Sequence, residues 1–210
     1  MTLLYLVRHG ETDWNLERRI QGSTDIRLNA TGRQQAARAG RLLARRSWDG
    51  IITSPLSRAA ETARIIADEL GLGLPETLDD IVERAYGEAE GLSDAELARL
   101  FPGDTPVPGR ESRQDVTARV IPALLRVAEQ HPREHVILAT HGGVIRAVLN
   151  AIAPGPLHRQ VPITNGSIHS FRYANGGLEL VAFNDPIEIA SVAPGADDLV
   201  EQNAIESREN

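Results

Sequence analysis

At 210 residues with 41% hydrophobic side chains, the chain fits one globular domain with a sizeable core, and its formal charge of -7, without any basic block, argues against a nucleic-acid binder. The absence of cysteine excludes disulfides, thiolate zinc sites and cysteine nucleophiles. No run approaches the roughly 18 apolar residues of a membrane span and no charged leader precedes Leu3, so no membrane association is expected and the cytoplasm is the default location.

Leu3 to Val7 reads as a buried strand that delivers Arg8 and His9 at its carboxyl end, where open α/β sheets place their chemistry. Asn29-Ala30-Thr31-Gly32 opens a helical pattern that runs to Arg46, and Gly50 to Thr53 reads as a second buried strand. Ser54-Pro55 predicts the next helix start, with serine as N-cap and proline at the first helical position, and that helix ends at Leu70 before Gly71. Ser93 to Glu96 and Ser112 to Asp115 each fit a capping box, the second opening a long amphipathic helix to Gln130. His135 to Thr140 is another strand, followed by His141-Gly142-Gly143 and a helix to about Ala153. Two alternating runs, Ser167 to Tyr173 and Leu178 to Asn184, flank Ala174-Asn175-Gly176-Gly177 and predict a terminal hairpin.

This alternation predicts an α/β fold: a three-layer αβα sandwich on a mainly parallel sheet with an antiparallel edge. Residues 1–190 form the expected catalytic domain and 191–210 an acidic, disordered tail. The Pro- and Gly-rich stretch from Gly91 to Gly109 is expected to lie over the functional end of the sheet. Three strand-to-helix junctions carry polar groups suited to one anion: Arg8-His9-Gly10, Ser54 to Arg58, and Thr140 to Gly143. Parallel strands point their carboxyl ends the same way, so these junctions can converge. At the third, Gly142 and Gly143 permit close backbone approach and the helix start offers amides. His131, His135, His158 and His169 read as structural or surface residues, and neither a Walker A loop nor a zinc-ligand spacing is present.

The segments Leu6 to Asn15, Ser54 to Thr62 and Thr140 to Gly143, joined by Glu83-Arg84-Ala85-Tyr86-Gly87 with Gly91-Leu92, resemble in order and spacing the histidine phosphatase superfamily, also called phosphoglycerate mutase-like. Gly109-Arg110-Glu111-Ser112 and Asn165-Gly166-Ser167 resemble further signatures, and the likeness runs from about residue 3 to 185. The resemblance implies that His9 attacks phosphorus through one ring nitrogen while the other donates to a backbone carbonyl. It implies that Arg8, Arg58 and His141 clamp the phosphoryl oxygens, with His141 protonated beside the dianion, and that Asn15 adds a neutral hydrogen bond. Gln21-Gly22-Ser23 takes the place of a glutamine-glycine pair beside the substrate, and Glu83 matches the general acid. No metal or cofactor is implied, the partner is a small phosphorylated metabolite, and a homodimer is compatible with the family.

The expected activity is a phosphomonoesterase; a cofactor-dependent phosphoglycerate mutase and a catalytically idle phospho-ligand sensor are the alternatives. Glu83-Arg84-x-Tyr86-Gly87 resembles the mutases, whose arginine and tyrosine help bind the substrate carboxylate. Those mutases carry a long basic insertion before the equivalent of Glu111-Ser112, whereas the interval here is short and contains acids beside Arg99 and Arg110.

Overall fold

Strict two-residue alternation in the central strands decides the layers. The computed structural model describes residues 1–153 and 161–185, so the expected tail at 191–210 and His158 lie outside the described residues. In β1 (Thr2–Arg8), Leu4 and Leu6 enter one apolar cluster with Val120, Leu124 and Val148, while Tyr5 and Val7 enter another with Leu43, Ala63 and Ile66. In β4 (His135–Thr140), Val136 and Leu138 face the first cluster and Ile137 and Ala139 the second. Period two on both faces requires a helical layer on each side. The pair α2 (Ala30–Leu43) and α3 (Ser57–Leu70) covers one face, and α5 (Arg113–Gln130) with α6 (Gly142–Ile152) covers the other. This is the expected sandwich.

The described residues form a six-stranded sheet in the order β3-β2-β4-β1-β5-β6, with β2 at Gly50–Thr53, β3 at Glu76–Thr77, β5 at Ile168–Ala174 and β6 at Gly177–Ala182. The first four are parallel, and β5 and β6 supply the antiparallel edge. Asn175 (φ 53°) and Gly176 (φ 77°) turn the hairpin, both in the left-handed region that a two-residue type I′ loop requires. Register then brings the junctions together: Arg8 lies opposite Thr140, and Thr53 opposite Ala139. Three carboxyl ends therefore open at one edge, with β4 between the other two.

Two boundaries differ from expectation. Ser54 does not cap α3: its helix begins at Ser57, the N-cap Leu56 has no capping side chain, and the Ser57 amide donates to Asp25 from a distant loop at 2.7 Å. Ser54 instead pairs with His141, so a functional contact wins over the local cap. Helix α2 stops at Leu43 rather than Arg46 because the chain tightens there, the Arg45 and Arg46 amides reaching back to the Leu42 and Leu43 carbonyls and the Trp48 indole also donating to Leu43. The short helix α1 (Asp13–Leu16) and strand β3 carry too few residues for a periodic signal. The 91–109 stretch contains α4 (Asp94–Leu100) and lies on Arg19 and Ile20, the Gly91 amide donating to the Ile20 carbonyl and the Ile20 amide to the Leu92 carbonyl. No helix among the described residues is long and apolar enough to cross a membrane.

The loop after β1 is fixed to the start of α2. A Cβ on Gly10 would stand 2.2 Å from the Gly32 carbonyl oxygen, and one on Gly32 would stand 2.1 Å from that of Glu11. Both contacts are backbone and cannot yield cheaply. Gly10→Ala is therefore expected to cost about 2 kcal/mol and lower Tm by about 4–8 °C, measured by calorimetry.

Candidate active site

His9 follows β1 and is 2% exposed; His141 follows β4 and is fully buried. Their ring centroids are 5.2 Å apart. His9 Nδ1 lies 2.6 Å from the Gly10 carbonyl oxygen, which can only accept, so Nδ1 carries the proton and Nε2 keeps its lone pair. Burial first, then the Arg58 and Arg8 charges, hold the His9 pKa well below the usual histidine value of 6.5. Burial, Arg58, His9 and Arg8 do the same to His141. Both rings are thus neutral in this structure. His141 Nε2 lies 2.7 Å from Ser54 Oγ, and its Nδ1 is a buried atom with no hydrogen-bond partner.

Two guanidinium groups complete the basic cluster. Arg58 on α3 is fully buried, donating to the carbonyls of Gly22 at 2.7 Å and Thr24 at 3.0 Å, while its buried Nε has no partner. Burial lowers its pKa to about 10, with Glu83 and Asp25 opposing that shift, so it remains charged at neutral pH. Arg8 is 7% exposed and anchored to the Ile163 carbonyl. Glu83 is 7% exposed and accepts from the Arg84 amide at 2.8 Å and the Gly143 amide at 3.2 Å. Its second bond comes from the first turn of α6, whose N-cap His141 supplies no side-chain acceptor. The arrangement offers a neutral nucleophile, two permanent cations, a partnerless imidazole nitrogen and a carboxyl group around one small space. That combination suits attack on a phosphate and protonation of what leaves.

The other expected residues divide. Asn15 Oδ1 is taken by the Thr12 amide and by Asn165 Nδ2 at 3.3 Å, leaving the Asn15 amide nitrogen as its donor. Gln21 Oε1 accepts from Thr12 Oγ1 at 2.6 Å. Gly142 is buried at the start of α6, beside His141. Gly22 contributes its carbonyl to Arg58, but its missing side chain makes room for Glu90, whose Oε1 would lie 2.2 Å from a Cβ there. Ser23 is turned to the same carboxylate through amide and hydroxyl. Arg84 Nε donates to the Glu111 carbonyl at 2.7 Å, and Tyr86, 6% exposed, lies between the guanidinium groups of Arg84 and Arg110. Of the remaining histidines, His131 pairs with Glu134, His135 with the Ser47 carbonyl, and His169 is buried beside Ser167.

Two positioning residues, Glu90 and Arg119, escaped sequence reasoning, and a third, Asn165, lay in a recognised signature without a role. Glu90 accepts from the amides of Ser23, Thr24 and Tyr86 and from the hydroxyls of Ser23 and Thr24. It thereby ties the loop whose carbonyls hold Arg58 to the loop that carries Glu83. Arg119 grips Glu111 with two nitrogens, at 2.8 and 3.0 Å, and also donates to the carbonyls of Asp80 and Glu83. Asn165 donates to the His9 carbonyl at 3.0 Å. None of these links has a local signature, since each joins segments far apart in the chain.

Comparison with known proteins agrees with this geometry. A family model described as histidine phosphatase superfamily (branch 1) matches residues 4–186. The chain is 40% identical over 185 residues to PhoE of Bacillus subtilis, named an uncharacterized phosphatase, covering 88% of this chain and 95% of that protein. It is 38% identical to phosphoglycerate mutase-like protein 4 of Arabidopsis thaliana, over 82% of this chain and 80% of that protein. A mycobacterial glucosyl-3-phosphoglycerate phosphatase solved with VO3 superposes with a TM-score of 0.77 at 29% identity, covering 87% of this chain and 98% of the other.

Glu90 gives the site an acid limit. Burial pushes its carboxyl up, but hydrogen bonds from Thr24, Tyr86 and Ser23 outweigh that and hold its pKa below the ordinary 4.5. A lowered folded-state pKa means its stabilisation is present above about 4.5 and is lost as pH falls through the folded value. Glu90→Gln is therefore expected to lower Tm at pH 7, with the gap to wild type closing below pH 4.5 in a pH series of melting curves.

Proposed function

Because the chain belongs to branch 1 of the histidine phosphatase superfamily, we propose that it hydrolyses phosphomonoesters of small metabolites through a phosphohistidine on His9. The observation that carries this reading is the His9 ring itself: Nδ1 bound to the Gly10 carbonyl, and a pKa held low by burial and two arginines. Such a ring is neutral, correctly tautomeric and next to the charges that a phosphate needs. The Nε2 lone pair attacks phosphorus as the P–O bond breaks, and the departing oxygen takes a proton from Glu83. Water then attacks the phosphohistidine, giving a proton back to Glu83, while the N–P bonding electrons return to Nε2. Arg8, Arg58 and His141 stabilise the equatorial oxygens in both steps.

No single contact suffices. Enzymes accelerate phosphate-monoester hydrolysis by up to about 10²¹, whereas one oxyanion donor supplies about 3–4 kcal/mol, so nucleophile, cations and acid act together. The named phosphatases among the relatives, and the oxyanion VO3 held by the mycobacterial neighbour, support a hydrolase with a phosphate pocket. We place the enzyme in the cytoplasm.

Relatives named as mutase-like keep isomerisation as the second reading. Against it, the 91–109 stretch holds one seven-residue helix with Asp94 and Glu96 in its first turn. A mutase must keep water off phosphohistidine while an intermediate reorients, which calls for a longer and more basic cover.

Acid-sensitive, base-stable phosphate is expected on His9 after rapid quenching of turnover, and His9→Ala is expected to lose both label and activity. Unchanged turnover in that variant would refute the mechanism. With 3-phosphoglycerate and 2,3-bisphosphoglycerate together, released phosphate is expected to exceed 2-phosphoglycerate formed by at least about tenfold; isomerisation outrunning hydrolysis would make the chain a mutase.

A further inference from the structure

The tautomer of His9 rests on the Gly10 carbonyl, and a carbonyl points only where its peptide plane directs it. The Gly10–Glu11 peptide is trans and planar, so its C=O and its N–H lie on opposite sides of one rigid unit. Holding one fixes the other. The N–H of that unit, on Glu11, donates at 2.8 Å to Oε1 of Gln35 on α2. An amide N–H can only donate, so the Gln35 side chain presents its oxygen there.

The reach of Gln35 follows from its helix. Gly32 and Gln35 are three residues apart and share a face of α2. Gly32 has no room for a Cβ against Glu11, nor Gly10 for one against Gly32, and this close approach brings the same face onto the nucleophile's loop. A Cβ on Gly166 would lie 3.4 Å from Gln35 Cβ, so the stem of the side chain is backed by a turn whose Gly166 amide donates to the Arg8 carbonyl. Other groups hold the neighbouring peptides. The His9 amide donates to the Thr140 carbonyl, the His9 carbonyl accepts from Asn165, the Gly10 amide donates to Thr62, and the Glu11 carbonyl accepts from the Asn29 amide. Of these partners, Gln35 is the one that bonds the plane whose carbonyl faces the imidazole.

We propose that Gln35 is a positioning residue of the nucleophile: by fixing the Gly10–Glu11 plane it keeps the proton on His9 Nδ1 and the Nε2 lone pair free for phosphorus. The phosphohistidine reading above enters this only in saying which ring attacks. The ring N–H donates to the carbonyl, and the N–H of the same peptide donates to Gln35, so the two bonds run in one direction and each strengthens the other. Without the Gln35 oxygen the plane is free to tilt away from the ring. A neutral imidazole that loses its carbonyl shares its proton between both nitrogens, and the fraction protonated on Nε2 has no lone pair with which to attack.

The test uses the full chain with Gln35→Met, which keeps the length and removes the oxygen, and Gln35→Glu, which keeps an acceptor at the same atom. Rapid-quench phosphorylation by p-nitrophenyl phosphate is expected to slow about tenfold in Gln35→Met, the factor to which one ordinary hydrogen bond corresponds, with KM changed by less than about twofold because Arg8 and Arg58 are untouched. Gln35→Glu is expected to stay within about threefold of wild type, since a carboxylate accepts the same bond. Nitrogen NMR of histidine-labelled protein, with the His9 signals assigned by their absence in His9→Ala, is expected to show the lone pair on Nε2 in wild type and Gln35→Glu and a mixture of tautomers in Gln35→Met. A merely structural role moves neither the tautomer nor the split between kcat and KM. Gln35→Ala gives the same readings if Gln35→Met folds poorly. A wild-type phosphorylation rate or an unmixed tautomer in the folded Gln35→Met variant would overturn the role of Gln35. Turnover that survives His9→Ala, with the tautomer still mixed in Gln35→Met, would overturn the phosphohistidine and leave the positioning role standing.

Discussion

Keeping two arginines charged and two imidazoles neutral while withdrawing all four from water is the constraint on which the rest of the structure depends. An isolated buried cation is expensive, and the usual remedy is a carboxylate in contact. Here Arg58 is bonded to the Gly22 and Thr24 carbonyls, neutral acceptors that orient a guanidinium without cancelling its charge. Glu83 acts on Arg58 through space and is itself held by two amides. A contact ion pair would have filled the space that an incoming dianion must occupy. Carbonyl ligation instead leaves positive potential unspent and directs it at one place.

Those carbonyls work only if their loops stay where they are, which explains the density of buried polar links around the site. The 22–24 loop is held by Glu90, the 83–85 loop by Glu111 and Arg119, and the Ile81 carbonyl by the Thr140 hydroxyl at 2.8 Å. Thr62 accepts from the Gly10 amide and donates to the Arg58 carbonyl, so the nucleophile's loop and the helix bearing Arg58 share one hydroxyl. A coupled network of this kind is stiffer than its separate bonds imply, because each loop is held from more than one side. Stiffness matters for catalysis because electrostatic stabilisation is most effective when the dipoles need not reorganise.

What could be read from the sequence follows the range of the forces involved. Strands, helix faces and two capping boxes are decided within a few residues, and Ser93–Glu96 and Ser112–Asp115 form as expected. Convergence of His9, Ser54 and His141 was legible because parallel strands share a direction, and β4 does lie between β1 and β2. Ser54 shows where that reasoning fails: its local pattern specified a cap, but Asp25 took the α3 amide and His141 took the hydroxyl. Glu90 and Arg119 were illegible for the same reason, since nothing near them in sequence says which loop they will hold. Arg84 and Tyr86 lay within a readable motif, but their stacking with Arg110 and the bond from Arg84 to the Glu111 carbonyl join segments far apart in the chain.

The charge state of His141 links these observations. The resemblance implies a ring protonated beside a phosphoryl dianion, whereas burial and the neighbouring Arg58, His9 and Arg8 by themselves all disfavour a further positive charge. The two descriptions belong to different occupancies of one site. A phosphate dianion beside the ring replaces the missing counter-charge, so the terms that lower the His141 pKa are offset when substrate arrives and return when phosphate leaves. His9 must follow the opposite rule: it attacks only while neutral, and its Gly10 contact commits the proton to Nδ1 throughout. The two imidazoles thus differ in function because the carbonyl fixes one tautomer and the Ser54 hydroxyl, able to donate or accept, leaves the other adjustable.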